Sequence, residues 1–242
     1  MLKKAHISPI VAYSEAWYTA RLGKFTSSRI HFLMGAKGLG KEGKRYIRQR
    51  VGEEMTGKSA DREIDTDATR WGHFHEAEGL KRFGRSLGIN FLVVQQLITE
   101  PGTRFGSTPD GLIMVRESPD KTQYEVETVE QKCPPSYDAY ISLFECNTPL
   151  DLKKTNDEHY WQVLDQMQAC GALRGHYSIY HPDFKVGDHK SITFNYNDYT
   201  MTPKGKIFYI KDDLELLAAR KKMALLEFNR IRSILIRMPA AA

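Results

Sequence analysis

The pattern of apolar residues changes near Gly88, and this change limits the folds open to the chain. Before Gly88, apolar residues recur at the three- and four-residue spacing of amphipathic helices. After it, short runs rich in β-branched residues alternate with turn residues as far as Lys132. The order predicts a protein with helices first, three or four strands in the middle, and further helices and strands towards the end.

Individual elements can be predicted from capping residues and periodicity. Ser14 is predicted to cap a short helix through Trp17 and Tyr18, and residues 26–28 to start a second one. The other predicted helices cover 44–57, 67–83, 156–172 and 203–238. The predicted strands include Phe91, Val93 and Val94 together with Leu97 and Ile98, a hairpin of 103–107 with 111–115, and segments 124–130, 177–180 and 192–196. Segment 136–149 has no clear pattern.

Length and composition indicate a globular chain. At 242 residues with 41% hydrophobic and 27% charged residues, one elaborated domain is expected, and neither a membrane-spanning run nor a signal-peptide core is present, which predicts a cytosolic protein. Its parts would be a helical region 1–85, a sheet core 86–200 and a C-terminal helix 203–238. Cys133, Cys146 and Cys170 lack CxxC spacing, so they are interpreted as buried thiols rather than disulfide or metal ligands.

The charges are unevenly distributed along the chain. Residues 1–51 carry a net charge of +9, residues 52–80 carry −5, residues 81–203 carry −4 and residues 204–242 carry +5. Basic ends suit a polyanion partner, and an acidic middle close to that partner suits bound divalent cations. The alternative that these charges only keep helix surfaces soluble remains open. The basic glycine-rich segment 35–44 either closes over a partner or is a flexible linker.

Two acidic residues and a lysine form the most informative motif. Asp110 lies in the turn 108–111, and Glu130-Gln131-Lys132 follows on a predicted strand. Alternate strand residues share a face, so Glu130 and Lys132 would point to the same side. Asp110 and Glu130 could hold one or two Mg²⁺ ions with the backbone carbonyl of Gln131, while Lys132 orients water or shields charge. Alone, this pattern also fits a solvated strand face.

Five blocks of the sequence, in order between residues 17 and 182, resemble the phage lambda exonuclease and YqaJ-type viral recombinase family of the PD-(D/E)xK nuclease superfamily. The blocks are 17–28, 71–76, 108–112, 130–134 and 159–163. The resemblance implies an α/β (α+β) fold with a restriction-endonuclease-like core, in which helices flank a central mixed β-sheet.

The resemblance also assigns roles to residues outside the motif. Arg21, Ser28 and Thr108 would bind a 5′-terminal phosphate of DNA, with Thr108 replacing the more usual serine. Glu76 would lie beside the metals, with Glu78 as the less favoured candidate. His73 and His75 are not interpreted as a zinc site, since residues two apart on a helix point in different directions.

The last block would supply Gln162 as a contact to the scissile phosphate or its water. The family's tyrosine in this block is either replaced by His159 or shifted to Tyr160. The catalytic set implied is therefore Asp110, Glu130, Lys132, Glu76 and Gln162.

Function is implied by the same resemblance. It indicates a Mg²⁺-dependent exonuclease, with Mn²⁺ as a substitute, that digests one strand of double-stranded DNA from the 5′ end and leaves a 3′ single strand. Its setting would be phage-type homologous recombination in the cytoplasm of a bacterial host, with a single-strand annealing protein as partner, a homotrimeric assembly and no membrane.

Two other functions remain open at this stage. One is a related nuclease that cuts internally or acts on RNA or single strands, because the catalytic motif would be the same. The other is a DNA-binding recombination scaffold without activity, which the presence of Asp110, Glu130 and Lys132 disfavours. Nucleases of this superfamily that carry an iron–sulfur cluster need four cysteines, and because this chain has three, that group is excluded.

Overall fold

The computed structural model describes residues 6–60, 66–89, 96–100, 102–117, 124–202, 205 and 207–237. Its α-helices are α1 (Glu15–Arg21), α2 (Gly40–Thr56), α3 (Asp67–Leu87), α4 (Tyr137–Phe144), α5 (Pro149–Thr155), α6 (Asp157–Cys170) and α7 (Ile210–Arg237), with a 3₁₀ helix at Ser27–Leu33. Its strands are β1 (His6–Val11), β2 (Phe25–Thr26), β3 (Gln96–Thr99), β4 (Phe105–Ser107), β5 (Gly111–Glu117), β6 (Tyr124–Lys132), β7 (Arg174–Tyr180), β8 (His189–Asn195), β9 (Tyr199–Met201) and β10 (Ile207–Tyr209).

The central sheet has the strand order β5-β6-β7-β8 and is mixed. β5 and β6 are antiparallel, β6 and β7 are parallel with Glu130 opposite Tyr177, and β7 and β8 are antiparallel. Helix α6 packs on the face that carries Glu130, whereas α3 packs on the face of Gln131. The fold therefore confirms the predicted mixed sheet flanked by helices.

Helix α6 lies between the central sheet and α7 and is almost wholly buried from Tyr160 to its end. The Asn156 side chain caps its start by accepting a hydrogen bond from the backbone N–H of His159 at 3.0 Å. Gly171 ends it at a φ of +63°, a conformation that glycine adopts without strain. Its buried apolar residues, among them Tyr160, Leu164 and Met167, belong to the largest hydrophobic core. Packing of this kind fixes the helix against β6, the strand that carries Glu130 and Lys132.

A second sheet of four strands, ordered β1-β3-β4-β2, lies in the N-terminal part. The predicted hairpin of 103–107 with 111–115 is wrong, because β4 pairs with β3 and β2 whereas β5 pairs with β6. The Pro109-Asp110-Gly111 turn therefore connects two sheets instead of two paired strands. Asp110 stands at this crossing point.

Several other sequence predictions differ from the structure. The first third is not entirely helical, because β1 and β2 complete the second sheet and Ser27–Leu33 is a 3₁₀ helix. Segment 136–149 includes α4, which Ser136 caps, and the start of α5, which Thr148 and Asp151 cap reciprocally. The C-terminal helix begins at Ile210 rather than near 203, since Ile207–Tyr209 pairs with β9. The predicted strand residues Phe91, Val93 and Val94 lie outside the described residues.

The remaining helix predictions are confirmed within a few residues. Thr66 caps α3, and Gly57 and Gly88 end α2 and α3 at positive φ. The three cysteines are buried free thiols. Among the described residues, no helix is both long and apolar enough to cross a membrane.

Candidate active site

A cavity of about 420 Å³ lies where the two four-stranded sheets, α3 and α6 meet. Every residue that the sequence assigned to catalysis, metal binding or phosphate binding contributes to its wall. These residues are Arg21, Ser28, Glu76, Thr108, Asp110, Glu130, Gln131, Lys132 and Gln162. The fold thus brings together residues separated by up to 141 positions in the sequence, although their proposed roles remain predictions.

The carboxylates of Asp110 and Glu130 are held by different kinds of donor. Asp110 Oδ2 accepts a hydrogen bond from the backbone N–H of Gln131 at 2.8 Å, which joins the turn to β6. Glu130 is 1% exposed, and its Oε1 lies 2.5 Å from Lys132 Nζ. Lys132 is the more accessible partner, with 28% of its side chain exposed. The turn and the strand therefore present two acidic groups and one ammonium to one cavity.

Two glutamines of α6 fix the orientation of the Glu130 carboxylate. Gln162 Nε2 donates to Oε1 at 2.6 Å, and Gln166 Nε2 donates to Oε2. The two residues are one helical turn apart and therefore face the same way. Gln166 was not predicted from the sequence, but its i, i+4 relation to Gln162 was the available signal.

The electrostatics of the site are dominated by excess negative charge. Burial raises the pKa of Asp110 well above its ordinary value, and the neighbouring Glu130 and Glu76 raise it further. Burial alone would lower the pKa of Lys132, but Glu130 and Asp110 outweigh it and the pKa is raised. Lys132 thus stays protonated, and the carboxylates around it favour an additional cation.

The Gln131 side chain points away from the two carboxylates. Its Oε1 accepts a hydrogen bond from Ser178 Oγ at 2.7 Å, and a Cβ added at Gly79 of α3 would lie 2.6 Å from its Cδ. The side chain consequently packs under α3, as strand alternation requires. The backbone N–H of Gln131 is bonded to Asp110, whereas the use of its backbone carbonyl as a metal ligand stays a prediction.

Glu76 and Glu78 have different surroundings. Glu76 lies on the cavity wall, whereas Glu78 lies 3.6 Å from Lys81 and 3.9 Å from Arg85 in ion pairs on the outer side of α3. Of the two, Glu76 is therefore the residue that faces the cavity, and its role beside the metals stays a prediction. His73 also lines the cavity, while His75 packs against Trp71 with 4.2 Å between ring centroids, so the two histidines diverge.

His159 and Tyr160, the two candidates for the position of the family's tyrosine, lie on different sides of α6. His159 lines the cavity, and its Nδ1 lies 2.7 Å from the hydroxyl of Tyr177. Burial, with Lys132 and His31 nearby, holds its pKa well below the ordinary value. Tyr160 is fully buried and donates to Asp213 at 2.6 Å on the other side of α6. His159 therefore occupies the position in the cavity.

Two of the three residues assigned to phosphate binding, Arg21 and Thr108, contact the indole of Trp17. Trp17 Nε1 donates to Thr108 Oγ1 at 3.0 Å, and the Arg21 guanidinium lies 3.8 Å from the centroid of the Trp17 ring. Arg21 and Ser28 also line a second cavity of about 690 Å³, which shares Tyr13, Trp17 and Thr69 with the first. The second cavity adds Tyr18, Arg29 and Arg50 to its wall. Both cavities therefore meet at Arg21 and Ser28.

A buried charged network behind the cavity was also missed. Ser27 Oγ donates to Asp165 Oδ2 at 2.6 Å, and Lys221 Nζ donates to Asp165 Oδ1 at 2.7 Å and to Glu100. These residues connect the segment before Ser28 to α6, α7 and the end of β3. No sequence signal joins them, because Asp165 and Lys221 are 56 residues apart.

One protein family and several solved structures are similar to this chain. The family model described as YqaJ-like viral recombinase domain matches residues 16–172. An alkaline exonuclease from Laribacter hongkongensis has a similar structure, with a TM-score of 0.68 and 20% identity over 93% of this chain and 97% of that chain. Its complex with dAMP gives a TM-score of 0.66 and 21% identity over the same shares of the two chains.

A third solved structure widens the comparison. A phage related exonuclease from Haemophilus somnus has a TM-score of 0.60 and 14% identity, over 88% of this chain and 96% of that chain. No match was found among curated proteins. These structural similarities establish a shared fold.

Fold and site together define a mixed α/β protein that shares its fold with solved exonuclease structures and carries two carboxylates and a lysine where two sheets meet. The chain belongs to the YqaJ-like viral recombinase domain family, whose model covers well over half of it. Membership and fold support a nuclease of phage recombination.

Proposed function

We propose that this protein is a Mg²⁺-dependent 5′-to-3′ exonuclease that degrades one strand of double-stranded DNA and leaves a 3′ single strand for phage-type recombination by annealing. The observation that carries the proposal is the convergence of Asp110, Glu130 and Lys132 with Arg21, Ser28 and Thr108 on one cavity. The first group suits phosphodiester hydrolysis, and the second suits recognition of a terminal phosphate.

The donor set fits a hard divalent cation. Asp110 and Glu130 offer carboxylate oxygens, and Glu76 adds negative charge to the same cavity. In the part of the chain that the structure describes, no three His, Cys, Asp or Glu side chains already form a compact metal-binding group. Glu130 is held by Lys132, Gln162 and Gln166 instead, so we expect it to exchange a protein contact when a cation binds. Mn²⁺ should substitute for Mg²⁺ with this oxygen-rich set.

The residues around the cation would divide the chemical work. When bound, the metal supplies Lewis-acid stabilisation of the phosphate and lowers the pKa of water. Lys132, which its carboxylate neighbours keep protonated, shields the negative charge that develops on the phosphate. Gln162 holds Glu130 and reaches the cavity, where its amide can contact the scissile phosphate or its water.

The preference for a 5′ end rests on the residues beside Trp17. A guanidinium and two hydroxyls, from Arg21, Ser28 and Thr108, offer several donors to the oxygens of a terminal phosphate. With the end fixed there and the scissile bond near Asp110 and Glu130, the strand would be cut from its 5′ terminus. The net charge of +9 in residues 1–51 supports attraction of the DNA backbone.

Assembly and location complete the proposal. By family resemblance we infer a homotrimer, a single-strand annealing protein as partner, and a phage or prophage protein acting in the bacterial cytoplasm. The long α7 has exposed apolar side chains, among them Leu226 and Ile234, that could pack on a neighbouring subunit.

The test is digestion of a linear duplex labelled at either end of one strand, with a 5′-phosphate or a 5′-hydroxyl, in Mg²⁺ and in EDTA. We expect metal-dependent loss of label from the 5′ end first, faster with the phosphate. Internal cuts would show that the protein is an endonuclease and not an exonuclease. DNA binding without any cleavage would indicate a scaffold.

The phosphate role of Arg21 has its own test. Arg21→Ala should slow digestion of 5′-phosphorylated ends by about tenfold more than 5′-hydroxyl ends, because a charge-assisted contact is lost. Arg29→Ala is the matched control, since Arg29 is also basic but lines only the second cavity. Equal losses on both ends in Arg21→Ala would remove its phosphate role.

A further inference from the structure

Tyr13 has a strained backbone at the edge of the candidate active site. It lies in the turn between β1 and α1, and its φ of +63° makes it the non-glycine residue with a left-handed backbone among those described. This region is rarely adopted by residues with a bulky side chain, and such strain concentrates at functional sites. The surrounding structure therefore holds the backbone of Tyr13 in this unusual conformation.

Neighbouring rings fix the orientation of the Tyr13 ring. Its centroid lies 5.3 Å from that of Trp17 and 5.1 Å from that of His73. The Tyr13 hydroxyl also lies 3.3 Å from His73 Nε2. Nearly half of the residue, 48%, nevertheless remains exposed. The ring is therefore both fixed and accessible to a ligand.

Trp17 offers no comparable surface, although it is the larger ring. It is 7% exposed, with the Arg21 guanidinium over its ring and Tyr18 packed edge-on at 5.0 Å. Its indole N–H is engaged by Thr108. Trp17 thus packs against Tyr13 and Arg21 and holds them in place, and the exposed aromatic surface belongs to Tyr13.

The position of Tyr13 relates it to both halves of the proposed site. It lines both cavities, as Arg21 and Ser28 do. Burial raises the pKa of its phenol, and the carboxylates of Glu76, Asp110 and Glu130 raise it further, so the ring remains neutral beside the acidic cluster. An aromatic ring between phosphate-binding groups and carboxylates matches the layout of a nucleotide, in which a base projects from a chain of phosphates.

We propose that Tyr13 forms a stacking subsite for the base of the 5′-terminal nucleotide, an inference that rests on the proposed exonuclease function. Every base has a π-face, so stacking holds any terminal nucleotide without selecting its sequence. Such tolerance suits an enzyme that removes successive nucleotides. The base contact and the phosphate contact of Arg21 would together place the scissile bond at Asp110 and Glu130.

The test compares two 5′-phosphorylated duplexes that differ only at the terminal nucleotide, which either carries its base or is a stable abasic analogue. The first cleavage is measured under single-turnover conditions over a range of enzyme concentrations. Wild type and Tyr13→Phe should use the base-bearing end about tenfold better, chiefly through tighter binding. Tyr13→Leu and Tyr13→Gly should lose this difference and use the two ends equally well. Tyr13→Gly keeps the backbone conformation without strain.

The matched control is Tyr18→Leu. Tyr18 has a similar exposure of 47% but lines only the second cavity, so its loss should leave the difference between the two ends intact. Retention of the full difference in Tyr13→Leu and Tyr13→Gly would overturn the stacking subsite, as would its loss in Tyr13→Phe. Failure of the exonuclease proposal gives another result, because wild type would then release no terminal nucleotide from the base-bearing duplex.

Discussion

Lys132 and Lys221 both lie among carboxylates, but their surroundings differ. Lys221 is 5% exposed and donates to Asp165 and Glu100, and its side chain lies over the Phe105 ring at 4.6 Å. Lys132 is 28% exposed and lies at the wall of a cavity with Glu130, Asp110 and Glu76. In both places burial alone would lower the lysine pKa, and the nearby carboxylates raise it instead.

The two lysines differ in how much of the surrounding negative charge is left without a compensating partner. Around Lys221, Ser27 supplies a further donor to Asp165, and the network is closed off between α6, α7 and β3. Around Lys132, three carboxylates face one ammonium, and the pKa of Asp110 is raised by burial and by its acidic neighbours. The closed network, formed by Lys221, Asp165, Glu100 and Ser27, is suited to holding elements together. The open cluster, formed by Lys132, Asp110, Glu130 and Glu76, is suited to receiving a cation and a phosphate. Substitutions at each lysine can separate these roles.

The largest effect is expected at Lys221. Lys221→Met leaves Asp165 and Glu100 without their buried partner and should lower the free energy of unfolding by about 3–5 kcal/mol. Lys222→Met, the same change at the exposed neighbouring residue, should change it by less than about 0.5 kcal/mol. Denaturant unfolding followed by tryptophan fluorescence measures both. Equal stability of the two variants would show that the network contributes nothing to the fold.

The counterpart is Lys132→Met, whose effect is expected chiefly on cleavage, because Lys132 is partly exposed and Gln162 and Gln166 still hold Glu130. Losing the ammonium beside the reacting phosphate should slow single-turnover cleavage by about 10²–10³-fold. Affinity for duplex ends in EDTA, measured by fluorescence anisotropy, should stay within about threefold of wild type, because the other basic residues remain. Near-wild-type cleavage by this variant would refute the site assignment.

The sequence predicted local features well and long-range contacts poorly. Asn156 and Gly171 mark the ends of α6 through capping chemistry, and Asp110, Glu130 and Lys132, which were predicted to lie together, line one cavity. The pairing of β4 with β3 and β2 was missed, because the Pro109-Asp110-Gly111 turn resembles a hairpin turn while it connects two sheets. Short helices such as α4 depend on caps and packing more than on periodicity.

Residues that act through others were the hardest to predict. The contact of Lys221 with Asp165 exists only once α7 packs on α6. The positive φ of Tyr13 is a property of the folded backbone and has no signal in the sequence. Gln166 lacked any motif of its own beyond its spacing from Gln162. Motifs identify groups that touch substrate, but the supporting contacts emerge from the tertiary structure.

A smaller effect is expected at Gln166, which tests how the open cluster is positioned. Gln166→Met keeps the volume but removes the donor to Glu130, so the apparent affinity for the activating metal should fall about tenfold. Binding of Mn²⁺ to the protein without DNA, followed by electron paramagnetic resonance, should fall in parallel. Gln168→Met provides the control, because Gln168 is on the same helix but donates to the backbone of Leu214. Unchanged Mn²⁺ binding in Gln166→Met would exclude a positioning role.

The smallest effect should be a gain of stability at the cost of function. Asp110→Asn removes one of three neighbouring carboxylates and keeps the shape of the side chain, so in EDTA the free energy of unfolding should rise by about 1 kcal/mol. That corresponds to an increase in Tm of about 2–4 °C. Asp138→Asn, at an exposed position in the first turn of α4, should give no increase. Added Mg²⁺ should stabilise wild type more than Asp110→Asn, which would reduce the difference in Tm between them. If Asp110→Asn were less stable than wild type in EDTA, the open cluster would be compensated like the closed one, and the distinction between the two lysines would fail.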